Sequence, residues 1–289
     1  MLKKKILFII NPISGGKSKI NFPSLAEKHL DSNLFTPIYT YTQEAGHAKK
    51  IALAHPEMDI IVAVGGDGTI NEVASVLEGS DQWMGIIPCG SGNGLARSVG
   101  IPLKESEAIS RLNNLKMVKI DSGAVNNRKF FNMAGVGFDA HISKQFADHI
   151  VRGLGGYIQT TLREISAYKP QDYTLVIDGR RYEREAFMIS IANSSQYGNN
   201  AHIAPFASLN DGLLDICIIK PFPLYLFPVM GYRMFSRTTH RSKYVEIIKG
   251  SNILIKRKSS GAVHLDGEPI LMESELEISV QPLSLKVLV

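Results

Sequence analysis

Apolar positions recur along this chain in two different rhythms. From residue 5 to about residue 121 they gather in short runs, at 5–10, 35–41, 60–64, 84–87 and 117–121, which read as mostly buried strands. Between the runs, Ala48, Ile51 and Ala52, and later Ala108, Ile109, Leu112 and Leu115, return at helical spacing. Strands alternating with amphipathic helices predict a doubly wound, mostly parallel sheet with helices on both faces.

After about Ser122 the period falls to two. The stretch "YTLVIDGRRYEREAFMISIA" reads as a strand, an Asp178-Gly179 turn and a returning strand. Near the end, Leu276, Ile278 and Val280 alternate, followed by Leu283, Leu285 and Val287. This half is expected to be an antiparallel β-sandwich. A helical interlude over roughly 141–168 and a basic, aromatic segment over 221–243 interrupt it. The expected fold class is α/β plus β in two domains, 1–122 and 123–280.

With 289 residues, 44% hydrophobic and 20% charged, the chain can bury a substantial core. A net charge of +5 suits an anionic partner such as a nucleotide or a phospholipid surface. Nucleic acid fits least well, because the chain has no long basic run and no RNA-binding aromatic motif. Cys89 and Cys217 lie in separate apolar segments without metal-ligand spacing, which points to a reducing compartment. The opening "MLKKKILFII" has too short an apolar run for a signal sequence and reads as the first strand. In "LLDICIIKPFPLYLFPVMGY", Asp215, Lys220, Pro221, Pro223 and Pro228 interrupt any stretch of spanning length. A cytoplasmic protein that visits the inner membrane surface is expected.

Three glycine-rich loops, "NPISGGKS", "GGDGTINE" and "PCGSGNGLA", each follow a predicted strand. In a parallel sheet such loops collect at the carboxyl edge, where ligands bind, and N–H groups at a helix start suit phosphate. Two familiar nucleotide fingerprints are absent. Asn11 stands where a P-loop needs its first glycine, and Asn71 stands where the dinucleotide motif needs its third.

The middle loop carries Asp67 and no lysine. Asp67 can cap a helix. It can equally hold Mg²⁺, since an acid that repels phosphate attracts it once a divalent cation lies between. Thr69 can cap or touch phosphate. In "HLDGEPI", Asp266-Gly267 is a hairpin signal, while Asp266 also has the chemistry of the base required by phosphoryl transfer to an alcohol. In "LNDGLLDI", Asp211 and Asp215 read as turn residues or as oxygen ligands for a cation.

Assembled, these segments resemble the diacylglycerol-kinase catalytic-domain family, which includes bacterial lipid kinases, sphingosine kinases and ceramide kinases. The resemblance spans essentially the whole chain, with "NPISGGK", "GGDGTINEV", "PCGSGNGLAR", "GVGFDA", "IAPFASLNDGLLDI" and "HLDGEP" in family order. It implies a phosphofructokinase-like first domain, a β-sandwich second domain, and ATP and lipid entering the cleft between them. The last strands, about 281–289, would rejoin the first domain. By matching position, nucleotide would contact Asn11, Thr42, Gly65, Gly66, Asp67, Gly68, Thr69, Ile70, Asn71 and Ser91, with Glu268 nearby. Asp67 would serve the catalytic Mg²⁺ and Asp266 would be the general base. Asp211 and the carbonyls of Ser208 and Leu213 would match a structural cation site, and Asp139 and Arg97 are assigned to the substrate.

Two departures stand out. Gly94 follows Asn93 where many diacylglycerol kinases have an acid, which looks closer to the sphingosine and ceramide branch. Asn210 stands where a second aspartate is frequent, implying a weaker or vacant structural ion site. The implied activity is Mg-ATP-dependent phosphorylation of a lipid hydroxyl, on diacylglycerol or a sphingoid or ceramide-type acceptor. The alternatives are a soluble kinase of the same superfamily acting on NAD or a sugar phosphate, and a catalytically silent sensor of lipid or nucleotide. A homo-oligomer is compatible with all three.

Within 221–243, Phe222, Leu224, Leu226, Phe227, Met230, Met234 and Phe235 interleave with Arg233, Arg237, Arg241 and Lys243. That composition suits docking on anionic membrane. A core-facing helix with a solvated basic side would give the same pattern. Arg180, Arg181 and Arg184 read as a solvated hairpin tip.

Overall fold

The structure, a computed structural model, describes residues 3–16, 18–147, 161 and 163–289. It divides into two compact units, Met1–Ile120 with Leu283–Val289, and Asp121–Pro282.

The first unit begins β1 (Lys4–Ile10), α1 (Phe22–His29), β2 (Phe35–Tyr41), α2 (His47–Leu53) and β3 (Ile60–Gly65). It continues α3 (Asp67–Leu77), β4 (Trp83–Pro88), α4 (Gly94–Ser98), α5 (Glu105–Leu112) and the start of β5 (Met117–Val125). The strands lie parallel in the order β2-β1-β3-β4. The two middle strands are apolar throughout their buried lengths, Ile6 to Ile10 and Ile60 to Val64, because a central parallel strand is covered on both faces. Helix α2 packs on α3, and α1 on α5, so the helices form two pairs that sheathe the sheet.

The second unit begins β6 (Arg128–Phe130), β7 (Met133–Gly137), α6 (Phe138–Ala147), β8 (Gln171–Ile177), β9 (Arg180–Ala186) and β10 (Met188–Ala192). It continues β11 (Leu214–Ile219), α7 (Phe227–Phe235), β12 (Val245–Gly250), β13 (Asn252–Arg257), β14 (Gly261–Leu265), β15 (Glu268–Met272) and β16 (Glu275–Leu288). One antiparallel sheet runs β12-β11-β10-β7-β14-β15; the other packs β16, β13, β8 and β9 side by side. Val136, Ile189, Ile191 and Ile216 of the first share one core with Leu175, Ile177, Ile253 and Ile278 of the second, which makes the sandwich.

The helical interlude starts earlier than periodicity suggests. Helix α6 follows β7 directly at Phe138, through Gly137 at φ 93. Of the rest of the expected interlude, 148–160 and 162 lie outside the described residues, and 161, 163 and 164 are helical. Strand β5 also runs beyond residue 121, to Val125.

Strand β16 explains the change of phase near the C-terminus. Leu276, Ile278 and Val280 are buried, then Leu285 and Val287. Leu283 sits between them at φ 51 and 47% exposed, and absorbs the one-residue shift that would otherwise turn the apolar set outward. Before that kink β16 pairs with β13; after it Val287 lies opposite Met84 of β4. No helix among the described residues is long and apolar enough to cross a membrane.

Candidate functional site

In the first unit the loops after β1, β3 and β4 approach one another at distances only glycine permits. A Cβ on Gly15 would stand 2.1 Å from the carbonyl oxygen of Cys89, and one on Gly90 would stand 2.7 Å from the Cα of Gly66. Gly15 also holds φ at 69°, which other residues adopt at a cost. The glycines are there so that three backbones can touch.

Asp67 is the first residue of α3, whose N-cap, Gly66, has no side chain to offer. Its carboxylate reaches the next loop instead. Oδ2 accepts the Asn93 N–H at 2.9 Å and Oδ1 accepts the Gly94 N–H at 2.8 Å. These are N–H groups at the start of α4, so the carboxylate is a charge-assisted cap on a helix other than its own. Asn93, held at φ 52, completes the latch. Its Oδ1 accepts the Gly90 N–H at 2.9 Å and its Nδ2 donates to the Gly90 carbonyl at 2.7 Å. Asn11 Nδ2 donates to Thr69 Oγ1 at 3.1 Å, which ties in the first loop.

Other residues around these loops hold structure. Glu72, the acid that ends "GGDGTINE", accepts the Gly46 N–H at 2.8 Å and the Lys49 N–H at 3.3 Å, capping α2. Thr42 is buried after β2, and its N–H donates to the Ile10 carbonyl at 2.8 Å. Ile70 is buried, Ser91 is exposed, and Asn71 Oδ1 accepts from the Ser75 hydroxyl at 3.3 Å. Arg97 Nε donates to the Gly92 carbonyl at 3.1 Å. Lys19, buried, pairs with Glu105 at 2.8 Å. Burial, together with that glutamate, pushes the Cys89 thiol up to about 12, so it is not a thiolate nucleophile.

In the second unit Asp266 and Gly267 form the two-residue turn between β14 and β15, with φ 49 and 91. The Asp266 carboxylate accepts three backbone N–H groups, from Phe131 at 3.0 Å and from Asn132 and Met133 at 2.9 Å. Two residues upstream, buried His264 places Nε2 3.0 Å from Asp139 Oδ2. The same oxygen accepts from Tyr197 at 2.9 Å and Ser190 at 3.2 Å, while Oδ1 accepts the Ala140 N–H at 2.8 Å. Asp139, 4% exposed, is thus an anchor inside the unit. Glu268 is exposed at the start of β15.

The loop before β11 is held within the unit. The Gly212 N–H donates to Asp121 Oδ2 at 2.8 Å, and the Leu213 N–H donates to Asp211 Oδ1 at 3.2 Å. Lys249 Nζ donates to Asp211 Oδ2 at 2.8 Å and lies 3.4 Å from Asp215 Oδ2, an ion pair too poorly aimed to be a hydrogen bond. Burial holds the Asp215 carboxyl above the ordinary aspartate range, against the pull of Lys249.

Two domain families match this architecture in chain order. Residues 5–125 match the diacylglycerol kinase catalytic domain, and residues 132–289 match the YegS C-terminal NAD kinase beta sandwich-like domain. A diacylglycerol kinase of Bacillus subtilis (strain 168) is 30% identical over 92% of this chain and 90% of its own length. The chain belongs to the diacylglycerol kinase catalytic-domain family. A Pseudomonas aeruginosa (strain UCBPP-PA14) protein named "Probable lipid kinase YegS-like" is also 30% identical, over 99% of this chain and 95% of its own. The crystal structure of a diacylglycerol kinase from Bacillus anthracis strain Sterne covers 100% of this chain and 97% of that one at TM-score 0.78, with 21% identity, and shows the same fold. The protein is therefore a kinase.

Within that family, the two candidate metal positions differ in what this chain offers. Asp67 is a half-exposed hard-oxygen donor fixed beside three glycine loops, which suits the one or two carboxylates Mg²⁺ takes alongside phosphates. Asp211 already carries an ammonium on Oδ2, so its donor set does not fit a divalent ion as it stands. Sequence reasoning did not single out Asn93 for the latch, Glu72, Lys19 with Glu105, or the pairing of His264 with Asp139. Only Asn93 had a readable signal, an asparagine between two glycines where the left-handed conformation is cheap.

The segment 221–243 divides its apolar residues between the core and solvent. Tyr225, Val229 and Tyr232, at helical spacing, are 79%, 45% and 71% exposed, with Leu224 and Phe235 beside them, while Met230 and Phe227 of α7 and Phe222 before it pack inward on the core. Arg237, Arg241 and Lys243 are exposed in the same segment. The arginine-rich hairpin of β8 and β9 is paired: Arg181 with Glu183, and Arg184 with Glu246.

Proposed function

We propose that this kinase transfers the γ-phosphate of ATP to a hydroxyl group of a lipid at a membrane surface, with Mg²⁺ as the metal. The observation that carries the reading is the latch of Asp67 on Asn93 and Gly94, which fixes a carboxylate among the glycine loops. Backbone N–H groups of those loops hold the phosphates. Bound Mg²⁺ would neutralise the charge that gathers on the transferring phosphoryl group. Asn11, Thr69 and Asn93 keep the loops in register, so the nucleotide meets a preorganised surface. Asp266 orients the acceptor hydroxyl and takes its proton on the carboxylate, and the three N–H groups that clasp it keep it from swinging.

The lipid acceptor is supported by α7 and its flanks, where exposed tyrosines and aliphatics stand beside arginine and lysine. Such a face settles at the boundary of an anionic bilayer. Diacylglycerol and sphingoid or ceramide-type alcohols are the acceptors to test.

The deciding experiment is transfer of labelled γ-phosphate from Mg-ATP to a mixed-micelle panel of diacylglycerol, monoacylglycerol, sphingosine and ceramide, with NAD as the soluble control. One labelled product in the organic phase is expected. Label in NAD alone would establish a soluble kinase, and no label despite ATP binding would establish a sensor. Asp266→Asn should abolish transfer and leave ATP binding intact; full activity in that variant removes the base assignment.

A further inference from the structure

The family resemblance assigns a structural cation to the loop at Ser208, Asp211 and Leu213, and this chain brings its own positive charge there. The antiparallel register of β11 and β12 sets Lys249 directly opposite Asp215, so the two side chains share one face of the sheet. Asp215 is 2% exposed and its Oδ2 has no hydrogen bond among the described residues. A carboxylate that deep requires a countercharge. Lys249 Nζ stands 3.4 Å from that oxygen and 2.8 Å from Asp211 Oδ2, bridging the buried acid and the loop acid.

The rest of the loop is closed by hydrogen bonds of its own. Asp121 accepts the Gly212 N–H at 2.8 Å and donates its N–H to the Leu209 carbonyl at 2.6 Å. The Ser208 hydroxyl donates to Asn210 Oδ1 at 2.8 Å. Nothing in this arrangement calls for the six to eight oxygen ligands of calcium or the octahedron of magnesium.

We propose that the ammonium of Lys249 is the resident cation of the 208–215 loop and takes the place of a divalent ion. A tethered charge differs from a bound one in a measurable way. Metal-linked stability grows with metal concentration, whereas a covalent cation is always present and adds no such dependence.

The test is thermal unfolding of the full chain, without nucleotide, in chelator and in millimolar Ca²⁺ or Mg²⁺. Wild type should unfold at the same temperature in all three. Lys249→Met should unfold about 4–8 °C lower in chelator, because it strands a buried carboxylate. Added Ca²⁺ or Mg²⁺ should return part of that loss, and the double variant Lys249→Met with Asp211→Asn should not respond. Lys249→Arg should retain the wild-type temperature and its indifference to metal, which guards against Lys249→Met failing to fold. Metal-dependent stabilisation of wild type that Asp211→Asn removes would overturn the proposal. So would a Lys249→Met protein that is destabilised but deaf to both cations.

Discussion

Asp178-Gly179 and Asp266-Gly267 are the same two letters in the same turn. Each closes a two-residue hairpin, with Ile177 opposite Arg180 in one and Leu265 opposite Glu268 in the other. All four residues have positive φ, 45 and 81 in the first, 49 and 91 in the second, which is the turn that matches strand twist. Each aspartate accepts N–H groups from a remote segment, Ser251 and Asn252 for Asp178, and Phe131, Asn132 and Met133 for Asp266. The surroundings differ. Asp178 is exposed and braces the bend between β12 and β13, whereas Asp266 is half-buried and follows His264, which is locked to Asp139. Turn geometry is therefore silent about chemistry, and the neighbours of the turn are what distinguish a brace from a candidate base.

The sharpest way to separate the two is activity. Asp266→Asn should lower kcat by about 10³-fold or more, the scale of losing an acid–base group, while Asp178→Asn should leave it within about twofold. Equal effects in a phosphotransfer assay would dissolve the distinction. Stability comes next. Asp266→Ala removes the acceptor from three N–H groups and should cost about 2–4 kcal/mol in denaturant unfolding, against about 1 kcal/mol for the exposed Asp178→Ala. Gly179→Ala and Gly267→Ala should then cost alike, about 1 kcal/mol each, since both positions demand positive φ and neither Cβ would meet a neighbour within 4 Å. A large gap between those two values would show that the turns are not equivalent.

The smallest effect is on acid stability. The Asn252 N–H bond, chiefly, holds the Asp178 carboxyl below its ordinary value of 3.8. Its contribution is thus complete above that value and disappears as pH falls through the lower folded-state value. The difference in Tm between wild type and Asp178→Asn should shrink on the acid side and be constant near neutrality.

Much of the scaffold can be read from local pattern. The strands of the first unit are short apolar runs that need burial on both faces, and Ile60 to Val64, closed by Gly65 and Gly66, is too short for a buried helix. The turn at Asp178-Gly179 is written in two residues. What local pattern does not carry is partnership at a distance. Asp67 sits where a helix begins, so its capping chemistry is legible, but the helix it caps starts at Asn93 and depends on two loops meeting at Gly66 and Gly90. Lys249 and Asp215 become a pair only once the β11–β12 register is known. The segment around α7 is ambiguous in sequence because an apolar stripe has the same period whether it faces a core or water, and the structure uses both, with Phe227 and Met230 packed inward and Tyr225 and Tyr232 at the surface.

Strand β16 has a consequence for synthesis. The first unit is completed by Leu283–Val289, where Ser284 accepts the Gly79 N–H at 2.8 Å, Lys286 pairs with Asp81 at 2.7 Å and the Val289 N–H reaches the Lys116 carbonyl at 2.8 Å. The second unit is thus an insertion within the first. A ribosome releases nearly all of the glycine-loop unit first, yet that unit lacks the strand beside β4 until the whole sandwich has been translated. The part of the chain made earliest is the last to close, and the exposed flank of β4 is the place where a chaperone would have the longest time to act.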